Sequence, residues 1–294
     1  MFPMLKIQDL TVAYSRKGAA PAIALRGLTF DLRPGEVVAL IGGVGSGKTT
    51  LLRLLAGRLP RGSEILGGRV MLVGEAESET DLLKLRSLSW RKLRRTRIAT
   101  FFPRIGDHWN PERTLRQHLQ EAIQLAGKTR ELRSEKDWMP AFYDVGLIEP
   151  EQILGRYPGE VSALVQTRLL MAMALLTGAD LWIADEATTS LDATGEDQVL
   201  RLFRELCAKH DLGLIFASAD VGCIERLADR VLVLYEGGVV ESGRVADLLS
   251  RPKNRYTRAL LDTLPRLGER RSRLGEIDRS AVQDAMDATF GVEN

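Results

Sequence analysis

The stretch GGVGSGKTT concentrates the chemistry of this chain in Gly42, Gly43, Val44, Gly45, Ser46, Gly47, Lys48, Thr49 and Thr50. A glycine, four residues, then Gly-Lys-Thr is the pattern of a phosphate-binding loop. Glycines let successive backbone N–H groups turn toward bound phosphates, and a helix beginning just after the loop aims its positive dipole end at the same point. Lys48 reaches the outer phosphates in such a loop, and the Thr49 hydroxyl takes a place on Mg²⁺. A second acidic feature suits the same reaction. The run ADLWIADE ends in Asp185, which would join the Mg²⁺ shell, and Glu186, placed to polarise an attacking water.

The elements that must position these residues are legible on either side. EVVALI before the loop is a buried-strand run, and TLLRLLAGRL after it has helical spacing. Leu5 to Tyr14 and AIALRGLTFDL read as strands, the second closed by a Pro-Gly turn. Tyr14 ends the first strand, where an aromatic serves either to stack on adenine or to pack across strands. EDQVLRLFRELCAKH, LGLIFASAD, CIERLADR and VLVLYEGGVVESG then give helix, strand, helix and a hairpin turning at Gly237 and Gly238. The alternation predicts an α/β fold around a mostly parallel sheet. Residues 112 to 157 hold helix-like segments with no β-rich run between them, which reads as a helical insertion. Between residues 58 and 103 the text opens with Gly and Pro and turns polar and basic. There, Leu82, Leu85, Leu88 and Leu93 flank the run WRKLRRTR and predict an amphipathic helix with a solvated basic face rather than a nucleic-acid patch.

Composition narrows the function classes. At 294 residues, 45% apolar and 27% charged, the chain is ordinary globular material with room for a large core. A net charge of +2 does not call for nucleic acid as a partner. Cys207 and Cys223 stand alone in helical text without ligand spacing, which fits a reducing, cytoplasmic setting. The opening residues lack a signal peptide's apolar core, and LLMAMALLTGADLWIA is broken by Gly178 and Asp180 short of the roughly 20 residues a bilayer requires. Work at a membrane would therefore run through a partner.

The order of phosphate loop, helical insertion, YPGEVS, LWIADEATTSLD and LYEGGVVESG resembles the nucleotide-binding domain of ABC transporters. KLRRTRIATFF…NP, RLLMAMALL and RYTRALLDTLPRL are similar to the ATPase subunits of dipeptide, oligopeptide and nickel importers. The resemblance implies a P-loop NTPase fold with a mixed sheet core over residues 1–267, a helical subdomain at about 104–160, and a tail at 268–294, helical or mobile. It implies ATP and Mg²⁺ as cofactors and an adenine-stacking Tyr14. Ser190, Leu191 and Asp192 would form the loop through which paired domains communicate. The implied partners are a second ABC ATPase subunit, the same or different, together with membrane permease subunits and, indirectly, a solute-binding protein. The expected station is peripheral, on the inner face of the cell membrane. The branch often carries a cysteine-rich segment late in the chain; the tail here has none, so no iron–sulfur site is expected.

Three motifs depart from the family pattern. Pro103 in FFPRIGDHWNP stands where the family has the glutamine that meets Mg²⁺ and water, in register with Asn110 and Pro111. Where the family reads Leu-Ser-Gly-Gly, this chain has Val161, Ser162, Ala163 and Leu164, keeping the serine and losing both glycines. Ala219 replaces the histidine that braces the γ-phosphate, and Ala187 a proline. These losses predict retained nucleotide binding with slow, partner-dependent hydrolysis. The alternative is a nucleotide-binding structural or regulatory subunit of a soluble complex, of the phosphonate lyase kind.

Overall fold

The computed structural model describes residues 3–16, 18–74 and 78–263; the predicted terminal helix and the rest of the 268–294 tail lie outside them. In chain order the elements are β1 (Leu5–Arg16), β2 (Ala19–Leu32), β3 (Val37–Ile41), α1 (Lys48–Leu55), β4 (Ser63–Val73) and β5 (Glu79–Asp81). Then come α2 (Ser87–Thr96), β6 (Ile98–Phe101), α3 (Leu115–Leu125), α4 (Glu135–Asp144), α5 (Glu151–Leu154), α6 (Ala163–Thr177) and β7 (Leu181–Asp185). The remainder is α7 (Ala193–His210), β8 (Gly213–Ala217), α8 (Val221–Leu227), β9 (Arg230–Tyr235), β10 (Gly238–Arg244), α9 (Val245–Ser250) and α10 (Arg255–Thr263). The chain divides into two compact units: Met1–Leu83 with the described residues from Ile215 onward, and Lys84–Leu214.

The first unit holds an antiparallel sheet of order β2-β1-β4-β5. It also contains the run β10-β9-β3, in which β9 pairs parallel to β3 and antiparallel to β10. This is mixed pairing, as an α/β nucleotide-binding fold requires. Every residue of β3 is buried, so its unbroken apolar text marks a strand covered on both faces. Its entry is pinned by the Val37 N–H, which donates to Asp229 Oδ2 at 2.9 Å. Arg230, at the start of β9, donates to Glu36 Oε1 at 2.9 Å.

In the second unit β6 and β7 run parallel, Ile98 opposite Leu181 through Phe101 opposite Ala184. Behind them Phe101, Trp182 and Phe203 form an aromatic core with ring centroids 5.2 to 6.0 Å apart, contacts worth about 0.5–1.5 kcal/mol per pair beyond area burial. Arg97 chelates both carboxylate oxygens of Asp180 and so ties the two strand entries together.

The basic run lies on α2 as expected, but the leucine stripe does not hold. Leu82 is buried just before the helix, whereas α2 itself has no buried residue and Leu88 is 73% exposed. Among the described residues no helix is long and apolar enough to cross a membrane.

Candidate functional site

The phosphate loop follows β3 and leads into α1, whose first residue is Lys48. Gly47 caps that helix at φ +104, and a Cβ there would lie 2.7 Å from the carbonyl oxygen of Ala24 in β2 and 2.9 Å from Leu25 Cδ2. Only glycine fits such a backbone pressed against such a neighbour. The other side of the loop is held by the β9–β10 turn, where the Gly237 N–H donates to the Ser46 carbonyl at 3.1 Å and the Gly237 carbonyl accepts from the Arg26 N–H at 2.9 Å. The loop is thus clamped between β2 and the β9–β10 hairpin of its own unit. Val44 and Gly45 stand out to solvent while Ser46 and Thr50 are buried.

Lys48 folds back over this loop. Its ammonium donates to the carbonyl oxygens of Gly42 at 2.5 Å and Gly43 at 3.0 Å, and to Ser46 Oγ at 3.2 Å. An ammonium held at the mouth of a glycine loop, over the start of a helix, is the donor set that suits a phosphate chain. Thr49 is exposed at that helix start. Tyr14 is tied to the same helix: its Oη lies 2.9 Å from Thr50 Oγ1, so the half-buried ring is fixed beside the loop. The structure therefore brings together Tyr14 and the whole of residues 42–50. Ala219, in the same unit, is exposed and follows β8. Its neighbour Asp220 caps α8 by accepting from the N–H groups of Gly222 and Cys223.

The remaining candidates belong to the second unit. Asp185 ends β7 half-buried, and Glu186 follows it exposed at φ +48. A left-handed backbone is uncommon for a residue with a side chain and gathers at functional sites. It is held there by Thr189, whose N–H and hydroxyl both donate to the Glu186 carbonyl, at 3.2 and 2.7 Å. Ala187 is buried behind it. Asp192 caps α7 by accepting from the Gly195 N–H at 2.7 Å, with Ser190 and Leu191 in the turn before it. Ser162 caps α6, its Oγ accepting from the Val165 N–H at 3.3 Å, so Ala163 and Leu164 form the first turn of that helix. Pro103 sits in an irregular segment after β6. There His108 Nε2 accepts the Phe102 N–H at 3.1 Å, and His118 Nε2 accepts the Asn110 N–H at 2.9 Å.

One residue at the loop escaped the sequence reading. The Gly43 N–H donates to Tyr256 Oη at 2.9 Å, across 213 residues of chain. Burial raises the Tyr256 phenol above its ordinary value, with the Gly43 N–H pulling the other way, so the hydroxyl is neutral at physiological pH. RYTRALL resembles a motif of the importer branch, yet nothing local in it points to the phosphate loop.

A family model described as ABC transporter matches residues 25–189, and one described as oligopeptide/dipeptide transporter, C-terminal region, matches residues 240–289. The peptidoglycan transport ATP-binding protein YejF of Agrobacterium fabrum is 34% identical over 90% of this chain, and the match spans 47% of its own length. The nickel import ATP-binding protein NikD of Rhodospirillum rubrum is 36% identical over 87% of this chain and 93% of its own. Among solved structures, cbiO1 from Clostridium perfringens, part of an ABC transporter complex, superimposes with a TM-score of 0.70 at 23% identity, covering 85% of this chain and 92% of that one.

Proposed function

This chain belongs to the ABC transporter family of ATP-binding proteins, in the branch with peptide and nickel importers, and from that premise we propose that it is the nucleotide-binding, weakly catalytic subunit of a solute importer. ATP binds at residues 42–50, with its adenine against Tyr14 and its outer phosphates on Lys48. The Thr49 hydroxyl, and through water the Asp185 that the family resemblance assigns to the same ion, would hold Mg²⁺, which would supply charge neutralisation to the phosphates. Glu186 orients the attacking water. The observation that carries the reading is Lys48 resting on the loop's own carbonyl oxygens, where an arriving phosphate offers the ammonium a charged partner in their place.

The proposed weakness in hydrolysis rests on side chains that are not there. Proline at 103 brings neither the side-chain amide nor a backbone donor, and Ala219 brings no imidazole. Removing one preorganised transition-state donor lowers a rate by about 100-fold to 1000-fold. The site offered to a partner through Ser162, Ala163 and Leu164 has a leucine side chain where backbone would close on phosphate. A homodimer would combine two such sites, so the reading favours pairing with a more complete ATPase subunit. Permease subunits, with a solute-binding protein beyond them, would carry the solute, at the inner face of the cell membrane. The C-terminal region's match to a transporter model supports this over a soluble complex.

The test is equilibrium binding of Mg·ATP to the purified chain and to Lys48→Ala, followed by single-turnover hydrolysis with and without the presumed partner subunit. Binding by the native chain, weakened at least about 100-fold in the variant, and hydrolysis that accelerates only with the partner are expected. Equal binding by the two proteins refutes the site, and fast turnover by the chain alone refutes the asymmetry.

A further inference from the structure

Gly43 is gripped from two directions. Its N–H donates to Tyr256 Oη at 2.9 Å, and its carbonyl accepts from Lys48 Nζ at 3.0 Å. We propose that Tyr256 is a positioning residue for nucleotide, through which the seating of α10 and the occupancy of the phosphate loop are thermodynamically linked. The proposal rests on the ATP-binding reading above and adds to it a residue and a direction of coupling.

Tyr256 is built for a fixed position. It is 3% exposed, and its ring meets that of Tyr235, at the end of β9, with centroids 4.4 Å apart. The backbone leading into it is tied to β10, because the Glu241 carboxylate accepts from the N–H groups of Lys253 at 2.8 Å and Asn254 at 3.1 Å. Asn254 Oδ1 then accepts the Tyr256 N–H at 2.8 Å. The loop side is equally close, since a Cβ on Gly43 would stand only 3.3 Å from the phenol oxygen. A continuous set of hydrogen bonds therefore runs from β10 through the start of α10 to the second residue of the loop.

The coupling follows from where Lys48 must go. Without phosphate, Lys48 and Tyr256 both hold Gly43. When Lys48 turns to the outer phosphates, its grip on the Gly43 carbonyl is given up, and Tyr256 keeps the Gly43 N–H satisfied and turned away from the ligand. The Tyr256 bond thus matters more in the bound state than in the free one, which is the condition for a residue to change affinity as well as stability. By reciprocity, nucleotide must strengthen the seating of α10, and whatever displaces α10 must weaken nucleotide binding. The model-matched C-terminal region, residues 240–289, includes this helix, so a partner of that region has a physical route to the ATP site.

The experiment uses the full chain with Mg·ATP as the probe. Tyr256→Phe keeps the ring and removes the acceptor; its affinity is expected to fall about 5- to 20-fold, the effect of one lost hydrogen bond at a backbone donor. Amide exchange in α10 is expected to slow on adding Mg·ATP to the native chain, and this protection is expected to vanish in Tyr256→Phe while that of residues 45–50 persists. A merely structural tyrosine would lower the melting temperature and leave both readouts unmoved. Should Tyr256→Phe not fold, Glu241→Gln loosens the same helix start without touching the loop and is expected to weaken affinity by a smaller factor. Native affinity in the variant that folds, or α10 exchange indifferent to nucleotide, overturns the linkage alone. A native chain that binds no Mg·ATP overturns the site reading and the linkage with it.

Discussion

The glycines of the phosphate loop are not equivalent, and Gly47→Ala against Gly45→Ala measures the difference. At Gly45, φ is +81 and an added Cβ meets nothing within 4 Å, so alanine suffers only the left-handed backbone penalty of about 1–2 kcal/mol. At Gly47, φ is +104, a region with a strain of about 1–3 kcal/mol for a residue bearing a side chain. The added methyl would also stand 2.7 Å from the Ala24 carbonyl oxygen, a backbone atom of β2 rather than the end of a flexible side chain that could swing aside. Overpacking of that kind adds about 1–3 kcal/mol. For a chain of this size each kcal/mol is worth about 2–4 °C, so Gly45→Ala should lower the melting temperature by about 2–8 °C and Gly47→Ala by about twice that or more. The assay is thermal unfolding without nucleotide, repeated with Mg·ATP. The ligand-induced upshift should survive in the first variant and shrink in the second, whose helix start is displaced. Equal melting temperatures for the two variants would refute the clamp by β2.

Two further outcomes are expected. Restoring the missing contacts with Pro103→Gln and Ala219→His together should raise ATP turnover in the presence of the partner subunit by at least about tenfold, and no gain would show that hydrolysis is limited elsewhere. Burial pushes the Asp144 carboxyl up, but hydrogen bonds from Lys209 and His210 outweigh it and leave the group below its ordinary 3.8. Its stabilisation is therefore complete above pH 3.8 and is lost as the pH falls on through the lowered value. Asp144→Asn should flatten the acid side of the plot of urea midpoint against pH, and an unchanged acid side counts against this role.

What the sequence made legible was local. The phosphate loop, the buried run of β3, α1 and the hairpin of β9 and β10 each declare themselves within about a dozen residues, because their constraint is a backbone shape or an apolar period. β4 did not: six of its first seven residues are exposed and Gly67–Gly68 interrupt it, so no alternation marks an 11-residue strand. The leucines around α2 mimicked a buried stripe because spacing says nothing about whether a neighbour arrives to cover it. Tyr256 was beyond reach for a different reason. A hydrogen bond between residues 43 and 256 depends on the pairing of β9 with β3 and on how Glu241 aims α10, and neither is written near either partner.

The residues assigned to holding nucleotide are wired into the fold, whereas those assigned to breaking it are not. Tyr14 bonds Thr50 and Lys48 holds the loop, and each would be missed by the structure itself. Ala219 is exposed and Pro103 lies in irregular chain, positions where the fold asks little of the side chain. Glu186 goes a step further: its side chain is exposed, and at φ +48 it carries the strain of a left-handed backbone of about 1–2 kcal/mol. Glu186→Gly relieves that strain, so it should leave the melting temperature unchanged or raised by a few degrees while abolishing single-turnover hydrolysis and sparing Mg·ATP binding. A variant that melts earlier would show the side chain to be structural. One that hydrolyses at the native rate would remove Glu186 from the reaction, and with it the argument that a strained carboxylate is kept here for water.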